Sequence, residues 1–250
     1  MNCDKIIGAG NTATVYEWEA GRVLKLFCEG YSKEAAEKEF YNAMVIRDLN
    51  FSKPKAYKMI TYKERIGIIY DKVEGESLLD WVLKTHDVDK CAVYMADLHK
   101  TIIKNTMNQL SSYKDFLRFH VTKVFVTDFS KREEVFRRID KLPDGDKICH
   151  GDFHPGNIIM SNETVSVIDF MNLCRGNYLY DVARTVFLIE FTPVPVGIYN
   201  KENMVYLKKT LTERYLAQMN VTREMIQDYL SVIMIARKGE CPEEQIKGKV

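Results

Sequence analysis

Asp152, Asn157 and Asp169 are the residues of this 250-residue chain whose types and spacing could do chemistry together. They sit in CHGDFHPGNII at 149–159 and VIDF at 167–170. Pro155 and Gly156 force the chain between Asp152 and Asn157 to turn, and a short hairpin through SNET returns Asp169, at a strand end, to the Asn157 end of the loop. An amide oxygen and a carboxylate beside a third acid form a hard-oxygen site that suits magnesium, which keeps waters and shares a substrate's phosphate oxygens. Asp152 is then free to take a proton from an attacking hydroxyl. A rival arrangement makes His150, Asp152 and His154 the ligands of a hydrolytic metal. It needs further ligands, and His86, His99 and His120 stand singly in expected helices or loops.

Two more elements carry chemistry. GAGNTATVY at 8–16 reads as a strand-turn-strand hairpin in which Gly8 and Gly10 could let backbone N–H groups approach phosphate oxygens. It is neither a dinucleotide fingerprint, since a strand follows it and the third Gly is missing, nor a Walker loop. Two glycines in a hairpin also serve simply as a turn. Lys25 lies in the apolar run VLKLF and must reach water or meet an anion. On a helical projection of 32–49, Glu39 falls on the apolar face with Ala36, Phe40, Ala43 and Ile46. We pair Lys25 with Glu39; a structural ion pair, or two side chains reaching solvent separately, is the alternative.

The elements that must position these residues follow from the local pattern. KIIGAG, TATVYEWE and RVLKLF read as three antiparallel strands, the last two joined by a tight turn at Ala20 and Gly21. A helix capped by Ser32 runs to Leu49, and strands follow around AYKMITYK and RIGIIY. After Tyr70 the short connector DKVEGE leads into helices at SLLDWVLKT, DKCAVYMADLHKTIIKN and KREEVFRRIDKL, the last opened by Ser130 and Glu133 in capping-box spacing. Strand-like runs interrupt the helices between 148 and 170. Further helices are expected at 179–190, 201–219 and 222–238, with a break at TPVPVG. The fold class is α+β, a five-stranded antiparallel sheet with one helix leading into a larger helical part.

Composition bounds the function. Lys and Arg number 36 against 35 Asp and Glu, a net charge of +1, with 46% hydrophobic residues. That balance is ordinary for a globular protein and gives no sign of a nucleic-acid binder or an acidic tail. No apolar run is long enough to span a bilayer, and the start does not read as a secretory signal. Six scattered cysteines without a CxxC pair suit reduced thiols in a cytoplasm.

HGDFHPGN followed by IDF resembles the phosphotransferase motif of the aminoglycoside phosphotransferase and choline kinase family, whose fold is protein-kinase-like; the protein kinase counterpart is HRDxxxxN followed by DFG. The likeness extends over nearly the whole chain. It implies Asp152 as catalytic base, Asn157 and Asp169 as magnesium ligands, and ATP or GTP as phosphoryl donor. GAGNTATVY, with Gly8, Gly10, Asn11 and Thr12, resembles the phosphate-covering loop. Lys25 corresponds to the lysine that holds the α and β phosphates, and Glu39 to its helix partner. IIYDKVEG, with Asp71 and Val73, resembles the hinge whose backbone meets adenine. LH at 98 and 99 recurs in the family's long helix, and Asp181 in YDVART resembles the acid that supports the loop; His150 and His99 read as loop-bracing or packed histidines.

The resemblance implies one catalytic unit of two lobes, 1–72 binding nucleotide and 73–250 holding the catalytic and acceptor residues. Two positions depart from the protein kinase pattern: Gly151 replaces arginine, and DFM at 169–171 replaces DFG. Only 12 positions separate Asp169 from Asp181, too few for a peptide-docking activation segment. A small hydroxyl-bearing acceptor is therefore expected: an aminoglycoside, sugar, amino alcohol or related metabolite. From 186 to the end, eight acids face nine Lys and Arg, and the tail KGKV is basic, so nothing favours a polycation. A small protein kinase of this fold and a catalytically idle nucleotide-binding scaffold are the other readings.

Overall fold

The computed structural model describes residues 5–194 and 201–243. Cys3, part of the TPVPVG break and the KGKV tail lie outside the described residues.

Alternating side chains build the first layer. Strands β1 (Ile6–Ala9), β2 (Ala13–Glu19), β3 (Arg22–Phe27), β4 (Ala56–Tyr62) and β5 (Arg65–Asp71) form an antiparallel sheet in the order β1-β2-β3-β5-β4. Helix α1 (Lys33–Val45) connects β3 to the edge strand β4, so β5 returns to pair with β3. Val23 and Phe27 pack in the main core beside α1, whereas Leu24 and Leu26 pack with Ile69 and a set including Tyr16, Trp18 and Tyr62 on the other face. The period of two puts Lys25 on the α1 side with Val23 and Phe27.

Ser32 caps α1, its hydroxyl accepting the Ala35 N–H at 3.2 Å. The helix stops at Val45, short of the expected Leu49. Its end tightens into three-residue turns, Arg47 N–H to Met44 O and Leu49 N–H to Ile46 O.

The rest of the chain is mainly helical. A two-residue strand β6 (Glu76–Ser77) precedes α2 (Leu78–Thr85), α3 (Val88–Ile103), α4 (Tyr113–Val124) and α5 (Phe129–Lys141). Then come β7 (Lys147–Cys149), the hairpin β8 (Ile158–Ser161) and β9 (Thr164–Val167), β10 (Cys174–Gly176), α6 (Tyr178–Glu190), α7 (Lys201–Met219) and α8 (Arg223–Glu240). Helix α3 packs on α7, α4 on α8, and α6 on both α7 and α8. Helix α6 is buried without a break from Tyr180 to Ile189, as a central helix must be.

Two local expectations need correction. Helix α4 was not expected: Val121, Thr122, Val124 and Val126 make its end look strand-like, but a true capping box of Ser112 and Asp115 starts it. Helix α5 is capped by Asp128, whose carboxylate accepts the Lys131 N–H at 3.0 Å, so Ser130 and Glu133 already lie inside it. Cys28, Cys91, Cys149 and Cys174 are free thiols. No described helix is long and apolar enough to cross a membrane.

Candidate active site

The loop between β7 and β8 carries the first cluster. Pro155–Asn157 forms a single 3₁₀ turn, and His154 accepts the Gly156 N–H on Nδ1 at 3.1 Å. Asn157 Nδ2 donates to the Asp152 carbonyl at 3.0 Å and to its carboxylate Oδ2 at 2.9 Å. One amide therefore fixes both the backbone and the side chain of Asp152. The β8–β9 hairpin turns through Asn162 and Glu163, both at positive φ, and Ile168 N–H then donates to Asn157 O at 2.9 Å. This bond returns Asp169 to the loop, as the spacing suggested. Asp169 itself has φ +69°, a left-handed conformation uncommon for a residue with a Cβ.

The second cluster joins the sheet to that loop. Lys25 Nζ donates to both carboxylate oxygens of Glu39, at 2.8 and 2.9 Å, and to Asp169 Oδ1 at 3.0 Å. Tyr70 OH donates to Glu39 Oε1 at 3.0 Å. Burial opposes the Lys25 charge, but Asp169 and Glu39 outweigh it and raise its pKa. Burial would also raise Asp169, yet Lys25 brings it below the ordinary carboxylate range. Glu39, with 1% of its side chain exposed, is raised, first by burial and then by the nearby Asp169 charge, against the pull of Lys25. Asn42, one turn beyond Glu39, donates to Phe170 O at 2.9 Å and so holds the segment after Asp169.

A third, dry cluster lies under the loop. Asp181, in the first turn of α6, accepts the His150 N–H at 2.6 Å and the Gly151 N–H at 2.8 Å. His99 Nε2 also bonds Asp181 Oδ2, at 2.9 Å, and its Nδ1 meets Tyr215 OH. Burial would raise Asp181, but His99 and the Gly151 N–H bring it below its usual value. His150 is fully buried, which lowers its pKa and keeps it neutral. In that state Nδ1 accepts the Asp152 N–H at 3.3 Å and Nε2–H donates to Ile168 O at 3.2 Å. The loop also explains Gly151: φ is +75°, and a Cβ there would lie 2.3 Å from Asn172 O.

The remaining expected residues stand apart from these clusters. At Gly8 and Gly10 neither a positive φ nor crowding requires glycine, since a Cβ would meet its nearest atoms at 3.8 Å. Thr12 O accepts the Cys28 N–H at 2.8 Å, and Asn11 is exposed at the turn. Asp71 gives its carboxylate to Tyr57 OH at 2.6 Å and Lys55 N–H at 3.0 Å, leaving that side chain engaged with β4. The backbone of Val73, two residues along, makes no hydrogen bond among the described residues.

These contacts discriminate between the two metal arrangements. Both ring nitrogens of His150 are engaged, and among the described residues no group of three or more His, Cys, Asp or Glu is arranged to hold a metal ion. The hydrolytic triad does not form. Asn157, by contrast, makes both of its side-chain hydrogen bonds through Nδ2, leaving Oδ1 without a hydrogen-bond partner among the described residues. That oxygen and the ionised Asp169 are hard donors of the kind magnesium takes.

Sequence reasoning missed Tyr70, Asn42, Arg184 and Tyr215. Tyr70 has the same strand parity as Ile68, Asn42 lies one turn from Glu39, and Arg184 is a lone cation in the apolar run VARTVFLIE. These three carry the signal that singled out Lys25, a polar group on an apolar face.

The fold is similar to those of several solved structures. An aminoglycoside phosphotransferase, APH(4)-Ia, in ternary complex with AMP-PNP and hygromycin B aligns at TM-score 0.65 and 14% identity, covering 94% of this chain and 83% of that one. APH(3'')-Id from Streptomyces rimosus, with ADP and streptomycin, aligns at 0.61 and 15%, covering 89% and 90%. The amicoumacin kinase hAmiN, in complex with AMP-PNP, Ca2+ and Ami, aligns at 0.60 and 15%, covering 93% and 78%. No curated protein sequence matches the chain. The α+β kinase-like architecture is thus shared while the sequences have diverged widely. A family model described as the phosphotransferase enzyme family, APH, matches residues 5–203, from the first strand to the start of α7, and the chain belongs to that family.

Proposed function

We propose that the protein is a cytoplasmic small-molecule kinase that moves the γ-phosphoryl group of ATP or GTP to a hydroxyl. The observation that carries this reading is the bridge from Lys25 to both Glu39 and Asp169, which ties a strand lysine to the loop holding Asp152 and Asn157. Residues 1–72 would bind the nucleotide and 73–250 the acceptor. Lys25 presents its ammonium to the α and β phosphates. Gly8 and Gly10, which the hairpin does not require as glycines, leave room for the phosphates beside Asn11 and Thr12. The Asp71–Val73 backbone meets the base.

Asp152 orients the acceptor hydroxyl and takes its proton, its carboxylate plane set by Asn157 Nδ2. Asn157 and Asp169 would hold magnesium, and the chemistry it supplies when bound is neutralisation of phosphate charge. His150 and Asp181 keep the loop in one conformation. Such transfers gain most of their rate from positioning and fixed charge.

The acceptor is a sugar, amino alcohol, aminoglycoside or related metabolite. Several acids of the last helices are already matched: Glu190 and Glu213 with Arg223, and Glu240 with Arg184. That pairing lowers the charge available to a polycation. A nucleotide-depletion screen with aminoglycosides, sugars, amino alcohols and nucleosides tests the reading. One class should stimulate turnover in the presence of magnesium; if none does, and no nucleoside triphosphate binds, the kinase assignment is wrong.

A further inference from the structure

Gly151 immediately precedes the proposed base, and its positive φ lies in a region where a peptide plane can rotate at little steric cost. Something must hold that plane. Asp181 takes the Gly151 N–H, and Arg184, one helical turn further along α6, donates from Nε to the Gly151 carbonyl at 2.9 Å. The two side chains grip the same residue from its donor and its acceptor side. Rotation of the Gly151–Asp152 peptide would break the Arg184 bond.

Arg184 is 1% exposed, and a guanidinium so buried needs a counter-charge. It receives one from the end of the chain's last described helix. Arg184 Nη2 meets Glu240 Oε1 at 2.5 Å, and Arg237 Nη1 lies 3.0 Å from Glu240 Oε2. Phe116 of α4 lies beside the guanidinium, with its ring centroid 5.4 Å away. The end of α8 is seated closely enough to make this contact because residue 239 is glycine; a Cβ there would lie 2.1 Å from His120 O of α4. The family match ends at residue 203, so Glu240 lies outside it.

We propose that Arg184, charge-matched by Glu240 from the last turn of α8, is a positioning residue that fixes the Gly151 peptide and through it the carboxylate of Asp152. The proposal rests on the reading of Asp152 as the base. It makes the end of α8 part of the catalytic machinery, although Glu240 reaches the site only through Arg184. Loss of Glu240 leaves a buried cation without its partner, and Arg184 then competes between the Gly151 carbonyl and solvent.

Hydrogen exchange of the 149–157 segment, read together with steady-state kinetics, tests this in the full chain. Glu240→Gln and Arg184→Lys should each speed exchange of the segment about tenfold. Each should also lower kcat about tenfold while the nucleotide KM stays within about twofold, since misplacement of the base acts on the chemical step. Ile226→Val, which weakens the packing of α8 away from the ion pair, should change neither. Exchange equal to wild type or to Ile226→Val would overturn the proposal, as would a loosened loop with unchanged kcat. If Arg184→Lys does not fold, Glu240→Gln alone decides. Asp152→Asn separates the two claims: wild-type turnover in that variant removes the base, whereas the exchange data judge the brace independently.

Discussion

Two charged clusters meet at the loop, and they differ in their access to water. The Lys25–Glu39–Asp169 cluster leaves 13% of the Lys25 side chain and 29% of the Asp169 side chain exposed. The Asp181–His99–Arg184 cluster is sealed, with none of Asp181 or His99 exposed. The first has two carboxylates around one ammonium and stays partly open to water at Lys25 and Asp169. The second directs its charges at backbone groups, the His150 and Gly151 N–H and the Gly151 carbonyl. In the first cluster Lys25 and Asp169 stay partly hydrated, while the charges that hold the backbone of the loop are dry.

That contrast makes the sealed cluster the more costly to disturb. Asp181→Ala removes the acceptor for two backbone N–H groups and a buried histidine, and should lower stability by about 3–5 kcal/mol in urea unfolding. Acid titration should expose the same cluster. Burial would raise Glu240, but Arg184 and then Arg237 bring it down to about 2 from 4.5. Its folded-state pKa is depressed, so its stabilisation is present above pH about 4.5 and disappears as the pH falls towards 2, by about 3 kcal/mol at most. Glu240→Gln should flatten that part of the stability curve.

The open cluster should respond less. Lys25→Ala should cost about 1–2 kcal/mol of stability, because the two carboxylates can recruit water or a proton, while nucleotide affinity in a titration drops at least about tenfold. A loss equal to that of Asp181→Ala would erase the distinction between the clusters. Asn42→Ala should have the smallest effect, about 1 kcal/mol, since only the bond to the Phe170 carbonyl and a longer one to the Met171 carbonyl are lost.

Legibility in the sequence followed the range of the forces involved. Lys25 and Glu39 could be paired because strand alternation and helical projection each place one polar group on an apolar face, and both patterns are local. The loop from Asp152 to Asp169 was readable because its turn residues and hairpin lie within one short segment. Helix α4 was missed because its β-branched end mimics a strand, although its Ser112–Asp115 capping box is local and its packing against α8 holds that end helical. The start of α5 was misplaced because two capping candidates, Asp128 and Ser130, compete within one turn. Arg184 and Glu240 are 56 residues apart, and no local pattern announces that an arginine on a central helix will meet the end of the last one. The family resemblance supplied roles for the cleft residues but nothing for this contact.

The central claim is that Asp152 prepares the acceptor hydroxyl for a phosphoryl group held by Lys25 and its partners. Transfer of labelled γ-phosphate to the acceptor found by the depletion screen, compared between wild type and Asp152→Asn at saturating nucleotide, tests it most directly. Turnover should fall by about 10²–10⁴-fold with nucleotide affinity changed by no more than about twofold. Turnover within a few-fold of wild type would contradict the account.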